Sequence, residues 1–240
     1  MSIFKSFKLF YPKMRSNRWY WLFYLFCRVS LAYAFIVAGM VKIVGERFAN
    51  GLSELHPMGA YLTALHDTGY YYTFIGIAQV IAAILLLIPR TVLWGALVYL
   101  PIIINIWILS YAVRFEGSIV TSPLMTLANL FILVWHYDRL QYLLPIKKLK
   151  PLPFFEKPEH YSWRFPFAFT LIVVAISAST IVFAVYGHEV MPRNSLRDCQ
   201  QQFTGTLNEE AGYSFCDCIH QEGHSLNQCL ELYNSQKKSN

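Results

Sequence analysis

Long apolar blocks alternate with short polar intervals along this chain. The blocks cover 19–42, 70–88, 91–112, 120–137 and 165–186. A helix needs roughly 20 apolar residues to cross a bilayer core. Each block meets or approaches that length. The fourth is the weakest, because it holds Thr121, Ser122, Pro123 and Asn129. The pattern predicts an all-α integral membrane protein. Its body is a four-helix transmembrane bundle over 19–137, joined to a fifth transmembrane helix over 165–186. Residues 1–18 form a basic arm, and 138–164 form a linker rich in Pro and Lys. Within that linker LPIKKLKPLPFFEKPEH reads as an irregular strap, since its prolines remove backbone donors and bias their neighbours to extended backbone. Residues 187–240 form a tail whose apolar positions recur at helical spacing, which predicts two or three short helices. The interval GERFANGLSELHPMGAYLTALHDTG is long enough for a short helix lying on the membrane surface.

Composition supports the same class. Of 240 residues 55% are hydrophobic and 14% charged, against about 25% charged in soluble domains. Charge also sorts by interval. Lys5, Lys8, Lys13, Arg15 and Arg18 precede the first block, and Arg90 follows the second. Arg139, Lys147, Lys148, Lys150, Lys157 and Arg164 follow the fourth. The alternate intervals mix Arg47 with Glu46, Glu54 and Asp67, and Arg114 with Glu116. Basic loops stay in the cytoplasm. This predicts a multi-pass protein of a bacterial inner membrane, with its N-terminus cytoplasmic and its tail periplasmic. The +6 net charge is that bias plus attraction to anionic lipid, and it makes no case for nucleic acid. The first block is too long for a signal peptide and lacks a small-residue cleavage site, so it reads as a retained anchor.

Cys27 lies in the first block, whereas Cys199, Cys216, Cys218 and Cys229 all lie in the tail. In an exported segment too small to rest on a core alone, four cysteines suggest two structural disulfides. Three pairings are open. Two other readings compete: a zinc site shared with His220 or His224, and a redox-active Cys216–Cys218 pair. The CDC spacing is not the usual CxxC of a zinc pair.

The deep polar residues come next. Arg28 lies nine residues into the first block, about 13 Å along a helix. An intramembrane charge costs roughly 2.5–3.5 kcal/mol on insertion scales, so it needs partners, a purpose, or a route to the headgroups by snorkelling. Gln79, Asn105 and Asn129 supply one polar residue in each of the next three blocks. With Arg28 they form a candidate intramembrane polar cluster, in which Arg28 bonds Gln79, Asn129 or backbone carbonyls. No carboxylate lies deep in any block. His56, His66 and Asp67 in the first long interval read as loop caps and turns. His136, Tyr137 and Asp138 read as an interface anchor. Trp19, Trp21, Tyr70, Tyr71 and Tyr72 fit aromatic belts. There is no Gly-rich phosphate loop, HExxH or nucleophile elbow, and no catalytic set or metal site emerges.

Arg28, then AGMVK with Gly39 and Lys42, then GIAQVIAAILLLIPR and WGALVYLP together resemble the DoxX-like membrane proteins. The likeness covers about 20–137 and rests on several short features in the right order. It implies a four-helix membrane bundle in which Arg28, Gly39 and Lys42 belong to the family motif. It also implies loose association with quinone-linked oxidoreductases and thiol redox systems. Gln79 stands where that family usually carries a glutamate, which removes the expected Arg–Glu pair. Two functional classes follow. One is a non-catalytic or accessory membrane subunit, whose polar cluster and exported tail serve assembly or binding of other membrane or exported proteins. The other is a redox-associated protein that binds quinone near Arg28 or exchanges thiols through the tail. The residues themselves call for no cofactor.

Overall fold

A computed structural model describes residues 2–143, 153–156, 158 and 160–237, with side chains from Phe7 onward. The Lys5 side chain and, within the 138–164 linker, residues 144–152, 157 and 159, with Lys147, Lys148, Lys150 and Lys157 among them, lie outside the described residues. The described chain is all-helical, and its only extended pairing is an isolated bridge between Asn17 and Ser162.

The basic arm begins as a helix, α1 (Ser2–Arg15), which ends at a short break. Asn17 then opens α2 (Arg18–Val44): its side chain accepts the Trp19 N–H at 2.9 Å, satisfying an orphan first-turn donor. Gly45 closes α2 with φ 88°, a left-handed cap that a residue with a Cβ adopts only under strain. The interval after it does contain a short helix, α3 (Pro57–His66), with Pro57 at its first position and His56 as its cap. Then come α4 (Tyr70–Leu87), α5 (Val92–Ala112), α6 (Thr121–Trp135) and the single turn α7 (Tyr137–Leu140). Helix α8 (Phe167–Tyr186) leads to α9 (Leu196–Gln201), α10 (Glu209–His220) and α11 (Leu226–Gln236).

Four helices, α2, α4, α5 and α8, are long and apolar enough to cross a membrane. Helix α6 has 15 residues, about 22 Å of rise and so short of a 30 Å hydrocarbon core by itself. Polar Ser118, Thr121 and Ser122 delay its start, and beyond Trp135 and His136 the chain continues as the short polar turn α7.

Helix α2 packs along α4, α4 against α5, α5 against α6, and α6 returns to α2. The α2–α4 contact is the most extensive. Gly39 and Gly76 face each other at this crossing: a Cβ added to either would lie 2.7 Å from the other's carbonyl oxygen. The two backbones approach because neither residue has a side chain, which is how membrane helices commonly associate. The core between the helices holds Tyr24, Leu31, Phe35, Leu86, Tyr99 and Ile132, with Phe35 stacked on Tyr99.

Helix α8 is different. Leu171 is 70% exposed and Ile172 56%, and only Ala184 is buried. It touches the bundle at both ends. Phe169 meets Tyr20, Phe23 and Phe131, while Phe183 stacks near Tyr111.

Candidate functional site

The bundle has two chemically distinct ends. The proximal end, where α2 begins, is a knot of committed partners. Tyr11 donates to Asp138 at 2.9 Å and also reaches the Trp135 carbonyl, and burial pushes its phenol pKa up. Arg15 donates to the Trp135 carbonyl and lies 3.7 Å from the Asp138 carboxylate. Its guanidinium sits between the Trp135 and Phe155 rings, 4.9 and 4.6 Å from their centroids. Asp138 also accepts from the Phe155 N–H. Asn17 donates to the Arg164 carbonyl, holding the entry to α8 against the start of α2.

Arg28 belongs to this end too. Its Nε donates to the Leu86 carbonyl at 2.9 Å, and Nη2 donates to the Leu87 carbonyl at 3.0 Å. The last carbonyls of any helix lack intrahelical donors and carry the negative end of its dipole. The planar fork of Arg28 thus caps α4, where the chain turns at Pro89. The arginine is not stranded: besides these carbonyls, its guanidinium lies 5.3 Å from the centroid of the Tyr24 ring. Of the acceptors open to it on sequence grounds, the carbonyls are the ones it takes.

The structure does not gather the four-residue cluster. Gln79 lies level with Gly39, since a Cβ on Gly39 would be 3.3 Å from the Gln79 Cβ. Eleven residues of α2, about 16 Å of rise, separate that level from Arg28. Asn129 instead donates to the Ala96 carbonyl at 3.0 Å, and its own Oδ1 has no partner. Asn105 is exposed on α5. Antiparallel threading sets the helices side by side, and Gln79 and Asn105 line one distal cavity, but the register leaves Arg28 and Asn129 outside it.

The distal end, where α2 closes, holds a cavity of about 600 Å³ between α2, α4, α5 and α6, with α3 above it. Its walls are mostly apolar, including Phe35, Met58, Leu62, Ile106 and Met125. Lys42, Gln79 and Asn105 also face it. Lys42 is 7% exposed. Its ammonium has three donors, and one is used, on the Ala38 carbonyl at 2.9 Å. The Phe48 ring lies 4.6 Å from Nζ. Gln79 is 2% exposed and its Oε1 has no hydrogen-bond partner. Ser110, Ser118 and Ser122 at the rim bond each other and helix carbonyls.

The tail docks over this end. Cys199 pairs with Cys216 and Cys218 with Cys229 at disulfide distance. This separates Cys216 from Cys218, so the vicinal redox pair considered from sequence is not formed. Phe203, Phe215, Ile219 and Tyr233 fill the small core between α9, α10 and α11. Arg114 donates to the Val190 carbonyl at 2.7 Å, and Arg193 pairs with Glu116. His56 and His220 face each other with ring centroids 5.7 Å apart. His56 Nδ1 accepts the Met58 N–H, which makes it the α3 cap, and Nε2 lies near the Arg193 carbonyl without a hydrogen bond of regular geometry. Burial and the neighbouring His220 push its pKa down to about 4, against the opposing pull of the Arg193 carbonyl. Among the described residues no three His, Cys, Asp or Glu side chains are placed to hold a metal.

Sequence reading missed two of these features. The Tyr11–Arg15–Asp138 knot joins residues more than 120 positions apart, and nothing local marks Tyr11 as a partner of Asp138. The His56–His220 contact depends on how the tail folds back. The legible signal was narrower: His56 stands before Pro57, a good cap position.

No family model and no solved structure matches this chain. A curated protein of Bacillus subtilis (strain 168), YwoB, is 34% identical over 113 residues, covering 45% of this chain and 72% of YwoB. YwoB is itself described as uncharacterized. The match supplies kinship without an activity, and on it this chain belongs to the YwoB family.

Proposed function

We propose that this protein is a DoxX-like, multi-pass protein of a bacterial inner membrane, acting as a non-catalytic accessory subunit that presents its tail to exported or membrane partners. The observation that carries the reading is the distribution of helix ends. Arg15, Arg18, Arg139 and Arg164 collect at the proximal end with Trp19 and Trp135, while the disulfide-paired tail and the mixed-charge loops collect at the distal end. Basic residues favour the cytoplasm, and disulfides persist in oxidising compartments. Helix α6 runs from the Ser110–Ser118–Ser122 rim to the Tyr11–Arg15 knot, so it traverses the bundle despite its length. Helix α8 likewise runs from Trp19 to Tyr111. Five crossings put the N-terminus and the tail on opposite sides. The exposed apolar surface of α8 suits lipid or a partner helix.

The DoxX-like part of the reading rests on Arg28, Gly39 and Lys42. Each of these has a structural task here: capping α4, permitting the α2–α4 crossing, and facing the distal cavity. The thiol-exchange alternative has no support from the tail, whose cysteines are paired and buried. Quinone binding near Arg28 finds that guanidinium occupied by carbonyls. A reporter active only in the cytoplasm should work when fused after Lys150 and fail when fused after Tyr233. The reverse result removes the topology and the accessory role with it.

A further inference from the structure

We propose that the distal cavity is a binding site for a single-chain anionic amphiphile whose head also carries hydroxyl groups, a lysophospholipid in chemical class. The inference rests on the membrane reading above and goes beyond it in naming a ligand.

Two buried groups define the head site. Lys42 is a cation with two ammonium donors unused and a single protein acceptor, the Ala38 carbonyl. Gln79 is an amide that is almost wholly buried and makes no hydrogen bond to the protein through Oε1. An unfilled buried polar group costs its full desolvation, so both positions are expensive to keep without a partner. Gln79 lies at the level of Gly39, one turn of α2 below Lys42. The pair is therefore spaced along the wall like two contacts to one head group. Lys42 requires an anionic oxygen. Gln79 presents an acceptor and two donors, and its unpartnered Oε1 requires a donor. Carboxylates and quinones are acceptors only, whereas a phosphate-bearing head with free hydroxyls satisfies both residues. The remaining walls, Phe35, Met58, Leu62, Ile106 and Met125, suit an acyl chain. The volume of about 600 Å³ falls in the range of small-molecule pockets, roughly 300–1,000 Å³, and accommodates one chain. Helix α3, capped by His56 and held by Arg47 hydrogen bonds to Thr63 and to the Leu52 carbonyl, roofs the site.

The test uses the full-length protein in nanodiscs of phosphatidylcholine, titrated with lysophosphatidylglycerol. A monoacylglycerol supplies the hydroxyls without the charge, and a fatty carboxylate supplies the charge without the hydroxyls. The wild type should bind lysophosphatidylglycerol saturably and more tightly than either control. Lys42→Met should weaken that binding about tenfold, the scale of one charge-assisted hydrogen bond. Gln79→Leu should weaken it less and abolish the preference over the fatty carboxylate. Ala38→Phe narrows the cavity without removing either polar group and should block binding, so the proposal stays testable if Lys42→Met does not fold. Binding unchanged in Ala38→Phe, or equal binding of all three probes, overturns the site. So does an absence of saturable binding in protein that inserts normally, and this leaves the membrane reading intact. Failure to enter nanodiscs overturns both.

Discussion

The two ends of the bundle treat a buried cation in opposite ways. Arg28 and Lys42 lie fourteen residues apart on α2, close to four full turns, so both face α4 about 21 Å apart. Arg28 ends on two carbonyls that need donors. Lys42 ends on one carbonyl and looks into an apolar cavity beside an amide with an idle oxygen. Proximal groups are mostly committed: Tyr11, Arg15 and Asp138 satisfy each other, and the buried Nε atoms of Arg15 and Arg18 that lack an acceptor belong to guanidinium groups lying against aromatic rings. Distal groups, Lys42, Gln79 and His56, keep unused hydrogen-bonding capacity. A committed cation stabilises a fold. Lys42, lying over the Phe48 ring with donors to spare, is where the proposed amphiphile head would bind.

The largest expected effect breaks both ends together. Gly39→Val drives a side chain into the Gly76 carbonyl and the Val80 side chain. It should destabilise the bundle by about 3 kcal/mol, the upper range for overpacking. Thermal unfolding in detergent checks this, and a wild-type midpoint would mean that the α2–α4 crossing is looser than described.

Arg28→Ala comes next and strikes the proximal end alone. It leaves the Leu86 and Leu87 carbonyls without donors and should cost about 2 kcal/mol, within the range for unsatisfied buried groups. Arg28→Lys should recover part of this, because an ammonium cannot match the planar fork on two adjacent carbonyls. A silent lysine would show that charge alone, reaching headgroups, is what position 28 requires.

Acid probes the distal end in another way. Folded His56 titrates near 4 against 6.5 for the free side chain. Between these values the unfolded loop binds more protons. The stability that comes from the neutral buried ring is therefore complete above pH 6.5 and is lost as pH falls toward 4. Amide exchange should show α3 and the docked tail loosening over that window. His56→Gln, which can still cap α3, should flatten the dependence. An unchanged profile in that variant would move the titration to other groups.

The smallest effect is the most discriminating for the distal end. Gln79→Leu removes an amide with no protein partner, so it should leave stability without amphiphile unchanged or raised by up to about 1 kcal/mol. A clear loss of stability would mean that Gln79 has a structural bond, and the distal end would then resemble the proximal one.

The sequence carried the coarse architecture well and the contacts poorly, for a physical reason. Apolar blocks and basic intervals are local properties, and they located α2, α4, α5 and α8 within two residues at each end. Four cysteines in a short tail implied two pairs, but 17- and 11-residue separations follow from how α9, α10 and α11 stack. The polar residues were legible as unusual. Their partners were not, because register between antiparallel helices decides heights and faces. A shift of Gly39 against Gly76 would have given Arg28 a different neighbour. Gln79 was singled out as a polar group at depth; of the residues grouped with it, Asn105 shares its cavity, while Arg28 and Asn129 find backbone carbonyls elsewhere. Asp138 was passed over as an interface anchor because Tyr11 and Arg15 lie far away along the chain.

The central claim is that Arg28 is structural and Lys42 is not. It is tested most directly by the thermal midpoints of Arg28→Met and Lys42→Met in phosphatidylcholine nanodiscs without added amphiphile. For a loss of about 2 kcal/mol in a chain of this size, Arg28→Met should lower the midpoint by about 4–8 °C. Lys42→Met should leave it in place or raise it, since methionine fills much of the same space without a buried charge. An equal fall in both variants would contradict the account, because Lys42 would then be holding the bundle together as Arg28 does.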